Sequence, residues 1–266
     1  MIERILLPLD GSELSDRAIP IVSAIAKGER AQVLLVRAVP GEPAHDAEVA
    51  AAGQHLEARR KALATAGVET KTRIVRGEAA ASVLEAAASF DPSLIVLATH
   101  GQTGEKRWIR GSVAERILER SRFPLLLTNP FALAGARKFE KILVPLDGSS
   151  DAASVLPLVE DVARLFDAEV TLFHGFEVPE GDAAAEARRL LEHHRRSLSG
   201  VKAKIATASG PVAASILDLV EREKVDLLAL TTHGRSGTSR WLYGSVADIV
   251  LHHAPVCMLV KRTAIG

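Results

Sequence analysis

Residues 77–101 read "GEAAASVLEAAASFDPSLIVLATHG", and residues 210–234 read "GPVAASILDLVEREKVDLLALTTHG". In both stretches a helical pattern precedes a short apolar run that ends in Thr-His-Gly. Helices that alternate with strands buried on both faces are typical of an α/β fold with a parallel sheet. The stretch therefore predicts the fold class, and its recurrence predicts that the fold occurs twice.

The repetition extends to the rest of the chain in the same order. "RILLPLDGSELS" at Arg4–Ser15 returns as "KILVPLDGSSDA" at Lys141–Ala152, and "GSVAERIL" returns later as "GSVADIVL". A period of ~135 residues is far longer than a solenoid repeat, so each unit is a domain. We predict domains at residues 1–133 and 138–266, joined by a linker that contains Pro and Gly.

Each domain is predicted to be a doubly wound α/β unit with helices on both faces of a parallel sheet. In the first domain we expect strands near Arg4–Leu9, Gln32–Ala38, Thr70–Arg76, Leu94–Thr99 and Pro124–Thr128. We expect helices near Leu14–Lys27, Ala47–Thr65, Ala79–Ser89 and Gly111–Ser121. The last strands, "LLLT" and "VCMLV", are apolar and would leave exposed sheet edges. We therefore expect the two domains to meet there as an internal pseudo-dimer, and a further homodimer remains open.

The composition and net charge of the chain exclude several classes of function. The chain has 266 residues, of which 47% are hydrophobic and 25% charged, and its formal net charge is zero. This charge balance gives no reason to expect a nucleic-acid or anionic-membrane partner. A single cysteine excludes an internal disulfide framework, and no apolar run approaches ~20 residues. The opening "MIERILLPLD" is too charged for a signal peptide, so we expect a soluble cytoplasmic protein.

A glycine-rich loop follows the fourth strand of each domain and precedes a helix. Glycines allow a ligand to approach the backbone closely, and the unpaired amides at a helix amino end attract phosphate. The candidate phosphate-binding residues are Gly101, Gly104, Gly111, Ser112, Gly234, Gly237, Gly244 and Ser245. The alternative is structural, because Ser112 to Glu115 reads as a capping box and Ser245 to Asp248 nearly does. Neither loop matches a P-loop or the dinucleotide-binding fingerprint.

These loops resemble the ATP-binding signature of the universal stress protein family, Gly-x2-Gly-x9-Gly-Ser/Thr. Gly101 and Gly111-Ser112 fit its second half, as do Gly234 and Gly244-Ser245, whereas Ala98 and Thr231 stand where the signature begins with glycine. The resemblance covers nearly the whole chain and is to the tandem two-domain form. It implies the strand order 3-2-1-4-5 in each domain.

The same resemblance implies roles for the ends of the first two strands. It places Pro8, Asp10, Pro145 and Asp147 opposite the glycine loop, with the two aspartates at the adenine–ribose end of the nucleotide. It places Ala38 and Gly175 where the family reads adenine through backbone atoms. The alternative is that each aspartate only caps a turn or the following helix.

Three hypotheses for function follow. The first is a non-catalytic ATP-binding stress protein, with or without Mg²⁺, whose nucleotide state tunes binding to an unidentified protein partner. The second is a slow ATPase or self-phosphorylating phosphotransferase that uses the same sites. The third is an interaction module that has lost nucleotide binding, which Ala98 and Thr231 favour and the intact Gly-Ser pairs oppose.

Overall fold

The computed structural model describes residues 1–41, 46–99, 112–129, 132, 138–176, 182–233 and 244–263. The chain divides into two compact units, Met1–Arg137 and Lys138–Gly266. The first unit contains β1 Arg4–Pro8, α1 Glu13–Asp16, α2 Ile19–Glu29, β2 Gln32–Val39, α3 Asp46–Thr65, β3 Thr70–Arg76, α4 Ala79–Phe90, β4 Leu94–Ala98, α5 Ser112–Arg120 and β5 Leu125–Thr128. The second contains β6 Lys141–Pro145, α6 Ser150–Ala153, α7 Leu156–Phe166, β7 Glu169–Phe176, α8 Ala183–Ser197, β8 Lys202–Ser209, α9 Val212–Glu223, β9 Leu227–His233, α10 Ser245–His253 and β10 Cys257–Thr263.

The strand order in the first unit is β3-β2-β1-β4-β5, and in the second it is β8-β7-β6-β9-β10. Strand pairs within each unit are parallel; Leu6, for example, lies opposite Leu34 on one side and Ile95 on the other. The predicted α/β fold and its order 3-2-1-4-5 are therefore confirmed for both units. In this order the first and fourth strands are neighbours, so their carboxyl ends flank the point where the chain direction across the sheet reverses.

The core of each unit lies around its central strands. Ile5, Leu6 and Leu7 of β1 are fully buried, and the central residues of β6 are buried in the same way. By contrast, β3 is charged and largely exposed, and it lies at the far end of the first unit's strand order. Charged side chains on such a strand discourage pairing with another sheet. No described helix combines the length and apolar character needed to cross a bilayer.

One predicted helix is wrong in detail. The continuous helix expected at Leu14–Lys27 is two helices, α1 and α2, and the second begins at Ile19. Pro20 lies in the first turn of α2. Proline has no amide hydrogen to donate and is tolerated only in a first turn, so the helix must restart there. Pro157 has the same place in the first turn of α7.

Candidate functional site

The Asp-Gly-Ser segment after β1 forms the same turn as the one after β6. Asp10 Oδ1 accepts hydrogen bonds from the Ser12 amide at 2.9 Å and the Ser12 hydroxyl at 2.6 Å. Asp147 Oδ1 accepts from the Ser149 amide and hydroxyl at the same distances. Ser12 and Ser149 then cap α1 and α6. Both aspartates thus take the turn-forming role that the structural alternative predicted, and each holds its carboxylate at the carboxyl end of its strand.

The environment of Asp10 favours the ionised carboxylate. Burial raises the pKa of Asp10, but hydrogen bonds from Ser12 and Ser15 and the positive charge of Arg37 outweigh it, so this pKa lies below its usual value. The Arg37 guanidinium packs against Gly11, on the side where a side chain would project. Its counterpart in the second unit is His174, whose Nδ1 donates to the Leu146 carbonyl oxygen at 2.7 Å.

A pocket opens at the carboxyl ends of the strands in the second unit. Its cavity volume is about 270 Å³, just below the roughly 300–1,000 Å³ range of small-molecule sites. It brings together five of the sequence-predicted residues, namely Pro145, Asp147, Gly175, Gly244 and Ser245. Apolar side chains form most of the remaining wall: Leu146, Ala152, Phe173, Val212, Ile216, Leu230, Val246, Ala247 and Val250.

Gly175 shapes one wall of this pocket by its lack of a side chain. A Cβ there would lie 2.9 Å from Val212 Cγ1 and 3.2 Å from Phe173 Cε1, closer than side chains tolerate. The glycine therefore lets the first turn of α9 pack directly on β7. The matching residues of the first unit are Ala38 and Ala79. There the strand residue is larger than Gly175, and the helix residue is smaller than Val212.

The amino end of α10 borders the pocket without a side-chain cap. Ser245 is the first helical residue, and the N-cap is Gly244, which has φ 89° and makes no side-chain cap bond. The structural alternative, in which Ser245 caps this helix, is therefore not what the structure shows. Among the residues that the structure describes, none would lie within 4 Å of a Cβ on Gly244. Unpaired amides and open space at a helix amino end form a favourable environment for an anion.

The other predicted residues are distributed as follows. In the first unit, Pro8 ends β1, Ala38 lies near the end of β2 and Ser112 begins α5. Five predicted glycines lie outside the described residues: Gly101, Gly104, Gly111, Gly234 and Gly237. Thr231, which replaces the first signature glycine, is half-buried and lines the second-unit pocket.

The apolar wall of the pocket could not be predicted from the sequence. Val212 and Ile216 have helical spacing on α9, and that pattern alone indicates only a core-facing side. Phe173 likewise reads as an ordinary buried strand residue. These residues line the pocket because β7 lies beside β6 in the sheet. The local sequence pattern does not predict that order of strands.

Comparison with known proteins places these features in a family. The model of the universal stress protein family matches residues 1–129 and again residues 138–262. A universal stress protein of Methanocaldococcus jannaschii is 29% identical over 153 residues, which are 51% of this chain and 90% of that protein.

The architecture is also found in a solved structure. A universal stress protein from Archaeoglobus fulgidus is 20% identical and covers 98% of both chains with a TM-score of 0.82. A structure from the same organism, the universal stress protein in complex with dAMP, is 18% identical and covers 48% of this chain and 97% of its own, with a TM-score of 0.40. The dAMP is a ligand of that protein.

Proposed function

The chain belongs to the universal stress protein family, and from this premise we propose that it binds ATP and acts as a non-catalytic, nucleotide-dependent regulator of the stress response. The observation that carries the proposal is the second-domain pocket. It combines an apolar wall, a carboxylate and an uncapped helix amino end within one cleft. An adenine nucleotide needs these three environments for its base, ribose and phosphates.

Different residues of the pocket suit the adenine, the ribose and the phosphates of such a ligand. Phe173, Val212 and Ile216 would contact the flat apolar faces of adenine. The Asp147 carboxylate, held by Ser149, would accept hydrogen bonds from ribose hydroxyls. The amides of the first turn of α10 would donate to phosphate oxygens, where the helix dipole adds favourable charge.

We propose one such site in each domain. Support in the first domain comes from the identical turn at Asp10 and from a helix, α5, that begins at Ser112 as α10 begins at Ser245. The duplicated loops also carry the same spacing of Gly and Ser. The expected stoichiometry is therefore two ATP molecules per chain.

Two measurements test this proposal. Freshly purified protein is denatured, and the released small molecules are separated by chromatography and identified by mass; we expect adenine nucleotide. Calorimetric titration of nucleotide-free protein with ATP should then saturate near two per chain. A stoichiometry near zero, with the protein folded by circular dichroism, would exclude the nucleotide function and favour a simple interaction module.

We further propose that the domains pair through their final strands, that nucleotide state is read by a protein partner, and that the protein acts in the cytoplasm. Apolar sequences in both final strands support the pairing, and the single cysteine suits a reducing compartment. Small-angle scattering of the full chain should give one compact particle. Two independently tumbling domains would exclude the pairing.

A further inference from the structure

A second cavity in the second domain lies between β8 and α9, beside the proposed nucleotide pocket. Its volume is about 290 Å³, similar to the roughly 270 Å³ of that pocket, and among the described residues only Phe173 lines both. It extends along residues 206–208 of β8 and residues 214–222 of α9. We call it the margin groove, because β8 lies at the end of the strand order of its unit.

The floor of the margin groove is apolar. Ala206 lies opposite Phe173 in the parallel register of β7 and β8, so their side chains are on the same face of the sheet. Ala208 has the same orientation two residues later, and the buried Leu219 of α9 lines the groove as well. Because the alanine side chains are short, space remains between the strand and the helix.

The first domain has an arginine side chain between the corresponding strand and helix. Arg73 of β3 matches Ala206 in the repeat, and its Nη1 donates to Ser89 Oγ of α4 at 2.6 Å. Ser89 in turn matches Arg222. The long cationic side chain is therefore on the strand in the first domain and on the helix in the second. This exchange leaves only a methyl group on the strand beside the margin groove.

The rim of the margin groove carries one charge of each sign. Arg222 Nη1 donates to Asp218 Oδ2 at 3.0 Å, and both side chains line the groove while remaining 63% and 69% exposed. Arg222 Nε also lies 3.8 Å from Glu223 Oε1, but the other Glu223 oxygen is held by Lys204 Nζ at 3.2 Å. Exposed ion pairs are weak, so a ligand with suitable charges can replace the Asp218–Arg222 pair at little cost.

We propose that the margin groove binds a free α-amino acid with an apolar side chain, such as leucine. The ammonium of the ligand binds Asp218, its carboxylate binds Arg222, and its side chain contacts the apolar floor. A ligand with a single charge would separate the ion pair and leave one member without a partner, whereas a zwitterion pairs with both. The Ser215 hydroxyl, which also lines the groove, can accept a further hydrogen bond from the ammonium.

Titration of the full chain with leucine, followed by NMR of labelled alanine methyl groups, locates the binding site. We expect the methyl signals of Ala206, Ala208 and Ala214 to shift, because these residues line the margin groove. The signals of Ala152 and Ala247, which line the nucleotide pocket, should stay in place. Two analogues of leucine, 4-methylpentanoate without the ammonium and 3-methylbutylamine without the carboxylate, should each bind roughly two- to five-fold more weakly.

Variants of the groove provide the stricter test. Ala206→Arg with Arg222→Ser reproduces the first-domain arrangement, so it should fill the groove and abolish leucine binding while the chain stays folded by circular dichroism. Asp218→Asn should weaken binding of leucine roughly two- to five-fold but not binding of 4-methylpentanoate, which has no ammonium. Lys202→Gln is the matched control, since it removes an exposed ion pair to Asp167 and neither residue lines the groove.

Several results would overturn this site. One is the absence of methyl shifts with leucine at about 10 mM, where a site with a Kd of about 1 mM would be mostly occupied. Shifts confined to Ala152 and Ala247 would place leucine in the nucleotide pocket instead. Equal binding of leucine and 4-methylpentanoate would exclude recognition of a zwitterion, and so would leucine binding that persists in the folded double variant. Failure of ATP to bind would leave the margin groove unaffected, because its ligand requires no nucleotide.

Discussion

Gly175 illustrates how a single missing side chain can shape a binding pocket. Its hydrogen leaves space for Val212, which an added Cβ would approach to 2.9 Å. We predict that Gly175→Ala destabilises the protein by about 1–3 kcal/mol, as overpacking typically does. It should also weaken ATP binding in the second domain, because Val212 must move within the pocket wall. Thermal unfolding and calorimetric titration measure the two effects.

The control for this variant is provided by the first repeat. Gly175→Ala combined with Val212→Ala reproduces the Ala38 and Ala79 pair of the first domain. The double variant should recover much of the stability and affinity lost in the single one, since the crowded methyl groups of Val212 are gone. If both variants bind ATP equally weakly, steric crowding at this wall is not the cause.

A second pair of matching residues, Ser93 and Asp226, accepts the same backbone hydrogen bonds with different side chains. Ser93 Oγ accepts hydrogen bonds from the amides of Glu3 and Arg4, at 3.1 and 3.3 Å. Its counterpart Asp226 accepts from the amides of Glu140 and Lys141, at 2.8 and 3.1 Å. Burial raises the pKa of Asp226 above its usual value despite these hydrogen bonds, so the folded protein holds its charged form less favourably than the unfolded chain does.

Asp226→Ser should therefore alter how stability depends on pH. A carboxyl whose folded pKa is raised contributes stability that is fully present below its ordinary value of 3.8 and is lost as pH rises through the raised value. We expect the serine variant to gain stability relative to the unaltered chain as pH rises across that window. Urea unfolding from about pH 3.5 to about pH 7 measures the difference. A difference independent of pH would contradict the prediction.

At the scale of elements, a substitution at the amino end of α10 can distinguish a phosphate-binding site from a purely structural helix end. Ser245 begins this helix and is exposed, and Gly244 provides no side-chain cap. We predict that Ser245→Asp stabilises the helix by about 0.3–1 kcal/mol through its dipole. The same carboxylate should weaken ATP binding to the second domain by at least roughly ten-fold, because it would repel the phosphates.

Adenosine serves as the control ligand for that variant. It lacks phosphates, so Ser245→Asp should leave its affinity nearly unchanged while ATP affinity falls. Equal ATP affinity in the variant and the unaltered chain would show that the helix end does not hold phosphate. This substitution is preferable to a bulky one at Gly244, because the φ of 89° at Gly244 would strain any other residue.

The elements also show where sequence reasoning succeeded and where it could not. The run of β4 is apolar throughout and β3 is charged, and the predicted bounds of both strands agree with the observed ones to within one residue. The local sequence pattern could not predict that a new helix begins at Ile19, because proline is compatible both with the first turn of a helix and with an interruption in a longer one. It likewise left open whether Ser245 caps α10, and in the structure the N-cap is Gly244, one residue earlier. Pocket walls depend on strand order, which the family resemblance provided and local periodicity did not.

At the scale of the whole molecule, each domain serves as an internal reference for the other. Both keep the Asp-Gly-Ser turn with matching hydrogen-bond distances. They differ in what surrounds it: Arg37 packs at the first turn, whereas His174 bonds to the backbone in the second domain. The turn after the first strand is thus the same in both domains, while the residue beside it differs. Two proposed sites on one chain need not respond to nucleotide in the same way.

The last prediction concerns turnover by the whole protein. Fast phosphoryl transfer requires a group that orients the attacking water and charge that stabilises the departing oxygens. Asp10 and Asp147 are already engaged by the hydroxyl and amide of Ser12 and Ser149. In the proposed binding mode they lie at the ribose end of the nucleotide, away from the bond to be broken. We therefore expect less than about one turnover per minute, against ~1–100 per second for kinases.

A steady-state phosphate-release assay with Mg²⁺ and ATP measures this rate. The control is Gly111→Val with Gly244→Val, which should remove nucleotide binding and any hydrolysis that belongs to the protein. Its fold must be checked by circular dichroism, because valine at Gly244 strains the backbone. Release within seconds that disappears in a folded double variant would mean that the protein is an ATPase.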